Sequence, residues 1–127
     1  MVAVMLIGIA SAQTKGVSTA FVNDTTTNTE TVYLALASAN NLSLDYKVTL
    51  SVTPVNVSGT ATVTCMPQGK NGAGWYDLQA AADTVNNAGT VATKTYSYAN
   101  AYYDQYRLKL VSTGTGVANH SGAMLIK

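Results

Sequence analysis

His120 is the only histidine in the chain, so any hydrolase-type site would need it as general base. It stands beside Ser121 in GVANHSGAML (116–125). Neighbouring residues of a strand face opposite ways, so this adjacency is not a nucleophile–base pair. A surface or hydrogen-bonded role is expected of His120 instead. The acids are Asp24, Glu30, Asp45, Asp77, Asp83 and Asp104, and no two are spaced as a catalytic motif. A glycosidase pair would have to be assembled by the fold. Asp77 and Asp83 could hold calcium with loop carbonyls, but no D-x-[DN]-x-[DN]-G run accompanies them. The glycines form neither GxGxxG nor a P-loop, and Lys70-Asn71-Gly72 lacks the strand–loop–helix frame that cradles phosphate. Cys65 is the single cysteine, which excludes an intramolecular disulfide and an intrachain thiolate cluster. It follows Val63 in an alternating run and reads as core. The expectation is a protein that is not an enzyme and carries no cofactor and no metal.

The aromatic residues carry the remaining signal. Trp75 and Tyr76 stand together, and Tyr96, Tyr98, Tyr102, Tyr103 and Tyr106 stand in a second group. On a β scaffold such rings finish the core, pack at subunit contacts or stack on sugars. Trp75, Tyr76, Tyr102, Tyr103 and Arg107 are the candidate interface or ligand-contact residues. Arg107, within QYRLKL (105–110), is expected on the wet face of a strand, in an ion pair within or between subunits. Asn23, Asn41, Asn56 and Asn119 head Asn-x-Ser/Thr sequons, which become glycan sites only where a glycosylating machinery is met.

These residues must be positioned by a small domain. The chain has 127 residues, 47% hydrophobic and only 10% charged, with a formal net charge of +1. Eighteen Thr stand against one Glu and one Arg. A long exposed helix or coiled coil would need Glu, Lys and Leu in bulk. The charge is too low for an electrostatic nucleic-acid binder, and the apolar content too high for charge-driven disorder. A surface of Thr, Ser and Asn can be buried against copies of itself without a large ionic desolvation cost, which points to an assembly subunit.

The pattern is that of strands and turns. Leu44, Tyr46, Val48, Leu50 and Val52 alternate with polar partners through Thr53, a strand with one buried face. Pro54 is expected to break it, because a central strand does not carry proline. Val17–Val22, Thr31–Leu36, Thr60–Met66, Trp75–Leu78, Thr90–Tyr98, a run centred on Tyr106, Leu108 and Leu110, and Val117–Ile126 read as further strands. Residues 23–31 read as turn or extended, 57–59 as a turn, 68–74 as a loop, 86–89 as a turn, and 78–82 as a helix-like patch too short to stand alone. About eight strands without a crossover helix imply an all-β, single-domain antiparallel β-sandwich, jelly-roll-like, over residues 17–127.

Residues 1–16 are set apart by the apolar run Val2–Ile9, followed by Ala10-Ser11-Ala12. This resembles the end of a secretory signal cleaved after Ala12, although a basic n-region is lacking. It equally suits an N-terminal strand or an arm laid on a neighbouring subunit, or a tail that inserts in a membrane. It is too short for a membrane span.

The strings NTETVYLAL (28–36), LDYKVTLSVT (44–53), SGTATVTCMPQGKNGAGWYDL (58–78) and YYDQYRLKLVSTGTGVANHSGAMLIK (102–127) resemble small β-sandwich structural proteins of tailed bacteriophages. The shared features are a loop leading into Trp75, the strand Tyr106-Arg107-Leu108-Lys109, and the turn Ser112-Thr113-Gly114-Thr115. The chain departs from the pattern in having Gly74, where Asn precedes the Trp, and in its secretion-like start. The resemblance implies a virion structural role, as capsid decoration, head-fibre or tail subunit. Its partners would be copies of itself and other virion proteins. A secreted filament or surface-layer subunit is the alternative, and a carbohydrate-binding module with glycan contact through Trp75 a further one.

Overall fold

The computed structural model describes residues 18–35, 47–99 and 103–126. The arm 1–16, Leu36, Leu44–Tyr46, Asn41 and Tyr102 lie outside the described residues. Within those residues are ten strands: β1 (Ser18–Thr27), β2 (Glu30–Ala35), β3 (Lys47–Gly59), β4 (Thr62–Asn71), β5 (Gly74–Asp77), β6 (Asp83–Asn87), β7 (Thr90–Val91), β8 (Lys94–Ala99), β9 (Gln105–Thr113) and β10 (Gly116–Ile126).

The pairing is nested and antiparallel: β1 with β10, β2 with β9, β3 with β8, and β4 with β6. This is a long hairpin rolled over on itself. The further ladders β10–β3 and β9–β4 gather the strands into two sheets, ordered β1-β10-β3-β8 and β2-β9-β4-β6-β7, with β5 added beside β4. The result is the jelly-roll sandwich that the alternation implies.

Period-two burial builds the core. Val48, Leu50 and Val52 of β3 face Tyr106, Leu108 and Leu110 of β9 and Val63 and Cys65 of β4, with Leu34, Val85, Tyr96 and Met124 completing the cluster. The tyrosine side of 90–98 is the inward one, since Tyr96 is buried and Tyr98 packs partly against the core. The chain passes between sheets at corners such as Gly59, where φ is +74°. A Cβ there would stand 2.5 Å from the Thr115 carbonyl oxygen, so only glycine fits without a shift.

Several boundaries depart from the sequence reading. Both prolines sit inside strands rather than ending them. Pro54 continues β3 because the β8 ladder stops at Val52–Lys94, leaving β3 with only β10 beside it. Pro67 continues β4 in the gap between β6, which pairs up to Cys65, and β5, which pairs from Gln68. There its carbonyl accepts a hydrogen bond from Leu78 N–H. The loop expected over 68–74 is a hairpin, with 68–71 in β4, 74–77 in β5 and the turn confined to Gly72 and Ala73. Residues 57–59 extend β3, and 78–81 form bends rather than helix, while 23–27 and 30–31 take the extended form within β1 and β2. Ten strands replace about eight because 68–91 splits into short pairs too local for the periodicity to register.

Candidate functional site: an arginine between two aromatic rings

The outward face of the β2-β9-β4-β5 sheet brings distant residues into register. One row across it reads Ala35, Arg107, Gln68, Asp77. Tyr33 pairs with Lys109 one step along one way, and Trp75 pairs with Lys70 one step along the other. Arg107 reaches diagonally to both rings. Its guanidinium carbon lies 4.0 Å from the Tyr33 ring centre and 4.0 Å from that of Trp75. Cation–π attraction of this kind contributes about 0.5–2 kcal/mol per contact, more as water is excluded.

A hydrogen-bonded chain fixes the stack from below. Arg107 Nε donates to Gln68 Oε1 at 2.7 Å, and Gln68 Nε2 donates to Asp77 Oδ1 at 2.7 Å. Gln68 points to the outer face yet is only 7% exposed, because the stacked side chains cover it. Its amide is therefore oriented by both neighbours, and it presents its oxygen to the arginine. Lys70 Nζ lies 5.9 Å from the Trp75 ring centre.

Trp75 and Arg107, two of the sequence-derived candidates, thus meet. Tyr76 and Tyr103 do not join them. Tyr76, on the opposite side of β5 from Trp75, is 52% exposed and stands apart. Tyr103 is drawn to the core, edge-to-face with Tyr106 at 6.0 Å, its ring over Gly69. Tyr102 lies outside the described residues. Among the described residues the partners of Arg107 are the two rings and Gln68, and no carboxylate of the same chain pairs with it. Tyr33 and Gln68 were not singled out as partners of Arg107, nor Asp77 as the partner of Gln68. Tyr33 and Arg107 stand 74 positions apart with no local signal linking them, and only the β2–β9 register joins them.

The polar residues weighed for catalysis are scattered. His120 and Ser121 face opposite ways, buried and exposed respectively. His120 Nε2 shares a 2.9 Å hydrogen bond with Thr26 Oγ1, while Nδ1 is buried with no partner among the described residues. Burial lowers the imidazole pKa below its ordinary value, and Asp24 opposes that shift. An open depression of about 630 Å³ between β1, β10 and β3 has His120 in its lining and Asp24 as its one acid. No group of three or more His, Cys, Asp or Glu suited to a metal occurs among the described residues. Asp77 is committed to Gln68, while Asp83 accepts from Gln79. Cys65 is fully buried, and burial pushes its thiol up to about 12. No described helix is long and apolar enough to cross a membrane.

The fold and this surface define a small all-β sandwich protein. No family model matches the chain, and no curated protein matches its sequence. Solved structures do share its architecture. The crystal structure of the Yersinia pseudotuberculosis-derived mitogen superposes with a TM-score of 0.54 at 14% identity over 84% of each chain. A Bacillus endospore appendage, of a family of disulfide-linked pili, gives 0.46 at 13% over 87% of this chain and 86% of that one. The infectious bursal disease virus Gx strain gives 0.42 at 13%, and the chain spans 32% of that longer protein. At 14% identity the likeness to the mitogen is one of fold alone.

Proposed function

We propose that the chain is a structural subunit that assembles with copies of itself into an extracellular filament or surface array. The supporting observation is how charge is divided between the two outer faces. The outward positions of β1-β10-β3-β8 include Asn23, Thr25, Thr49, Thr53, Val55, Ser97, Asn119 and Ser121. Among the described residues these positions hold one charge, Lys47 at the end of β3. Arg107, Lys109, Lys70 and Asp77 all lie on the other sheet's outward face.

Four strands about 4.8 Å apart and some ten residues long make a face of roughly 600 Å² in plan. That is close to the roughly 800 Å² each partner contributes to a stable interface. Val55 and Val57, each 55% exposed, supply apolar area on it. A second copy could cover the middle of this face while stripping water from few ions, since Lys47 stands at its end and Asp24 is the one acid lining its depression. The signal-like run Val2–Ile9 with Ala10-Ser11-Ala12 supports export. A virion subunit, which the sequence resemblance implies, would use the same face but assemble inside a host cell.

Sedimentation velocity across a hundredfold concentration range tests the reading. The wild type is expected to self-associate, and Thr53→Glu, placing a carboxylate mid-face, to stay monomeric. Monomeric wild type at all concentrations, or assembly unaffected by Thr53→Glu, overturns it.

A further inference from the structure

We propose that the Tyr33–Arg107–Trp75 stack is a recognition site for the carboxylate of an acidic saccharide. The inference is independent of the assembly reading, since the site lies on the opposite outer face.

The donor count comes first. A guanidinium has five N–H bonds, and Arg107 commits its Nε–H to Gln68. The N–H bonds of its two η nitrogens have no partner among the described residues, and the Nε bond fixes the plane in which they lie. Two rings at 4.0 Å hold that plane in place. The freezing of a flexible side chain, normally a cost of binding, is thus met when the protein folds. A planar fork held in this way matches a carboxylate in bidentate geometry.

The charge surrounding the fork favours an anion. Lys70 and Lys109 share the face with Arg107, and the one acid in the row, Asp77, is tied to Gln68 on the far side of β4. Tyr33, 44% exposed, offers a hydroxyl beside the fork.

The lack of free backbone selects a saccharide over a peptide. The stack sits on the face of a sheet, and the backbone groups of β9 and β4 beneath it are paired on both sides. An extended peptide could add no strand there, so recognition falls to side chains alone. The groups left available, two aromatics with Arg107, Lys70, Lys109 and the second carboxylate oxygen of Asp77, can pack sugar C–H surfaces and bond hydroxyls as well as the carboxylate.

Trp75 is the only tryptophan, so its fluorescence reports on the site directly. The full chain would be titrated with a glucuronate-containing disaccharide, with its neutral glucose counterpart, and with a short poly-glutamate peptide. Saturable change with the acidic sugar is expected, at least tenfold tighter than with either comparator. Arg107→Gln is expected to lose at least tenfold. Arg107→Lys, which keeps the charge and the aliphatic stem, is expected to lose most of that, with circular dichroism verifying that each variant is folded. Equal binding of the neutral sugar, tighter binding of the peptide, or unchanged binding by folded Arg107→Lys overturns the proposal.

Discussion

Acid should loosen the seam between β1 and β10, and His120 is the reason. Its imidazole is 1% exposed, with Thr26 on one nitrogen and no described partner on the other. Protonation would put a charge among Pro54, Ala118 and Thr26, relieved only by Asp24 across the ladder. Desolvation thus lowers the folded pKa below the unfolded value of about 6.5, despite Asp24. A base with a depressed folded pKa is most stabilising above its unfolded pKa. That contribution declines as pH falls, because the unfolded chain takes up the proton first. If the folded state takes up none, the loss between pH 7.5 and 5.5 reaches about 1.3 kcal/mol, a few degrees in Tm for a chain of this size. His120→Gln keeps a donor for Thr26 and removes the titration. Urea unfolding at pH 7.5, 6.5 and 5.5 reads the difference. Wild type should lose about 1 kcal/mol more than His120→Gln across the range. Parallel pH profiles for the two proteins would refute the argument.

The packing sets four further outcomes. A Cβ at Gly69 would sit 2.4 Å from Tyr103 Cγ, the root of the ring rather than its mobile end, so Gly69→Ala should cost about 1–3 kcal/mol in urea unfolding. Combining it with Tyr103→Ala should cost less than the two single changes summed. The Cys65 thiol, fully buried and pushed up to about 12, should resist a thiol reagent at pH 8 in native buffer and react at once in denaturant. A thiol whose folded pKa is raised is stabilising below its unfolded value, so stability should fall as pH climbs from about 8.5 towards 12, with Tyr98, also pushed up to about 12, adding to the loss. Leu108→Ala, which empties a fully buried position in the centre of β9, should cost about 2–5 kcal/mol, measured by thermal or urea unfolding.

The sequence carried the core because burial is written in period two. Val48, Leu50, Val52, Tyr106, Leu108 and Leu110 all face inward as their alternation requires. The prolines misled because their tolerance depends on which neighbour is missing. Pro54 and Pro67 occupy gaps in the flanking ladders, and a gap is a property of the sheet rather than of the strand. The site was half legible. Trp75 and Arg107 stood out by type, but Tyr33 and Gln68 are ordinary sheet residues until the β2–β9–β4–β5 register sets them beside the guanidinium. Tyr103 shows the converse. It looked like a contact residue, but Gly69 opens a place for its ring against the core. His120, expected to be exposed or hydrogen-bonded, is hydrogen-bonded and buried, a burial set by its inward register opposite Pro54.

The division of charge between the two outer faces bears both on assembly and on recognition. A copy packed face to face on β1-β10-β3-β8 leaves the arginine stack open, so each such pair within a larger assembly would display Tyr33, Arg107 and Trp75 on both of its outer sides. The occupancy of the uncharged face is therefore the point to measure. Because Cys65 is buried, a nitroxide reagent can be directed to one introduced cysteine, at Thr53 on the uncharged face or at Lys109 on the charged one. Intermolecular dipolar broadening between labelled copies at assembling concentration is expected for the Thr53→Cys protein and not for the Lys109→Cys protein. Broadening confined to the Lys109 position, or absent from both while the protein assembles, would contradict the account.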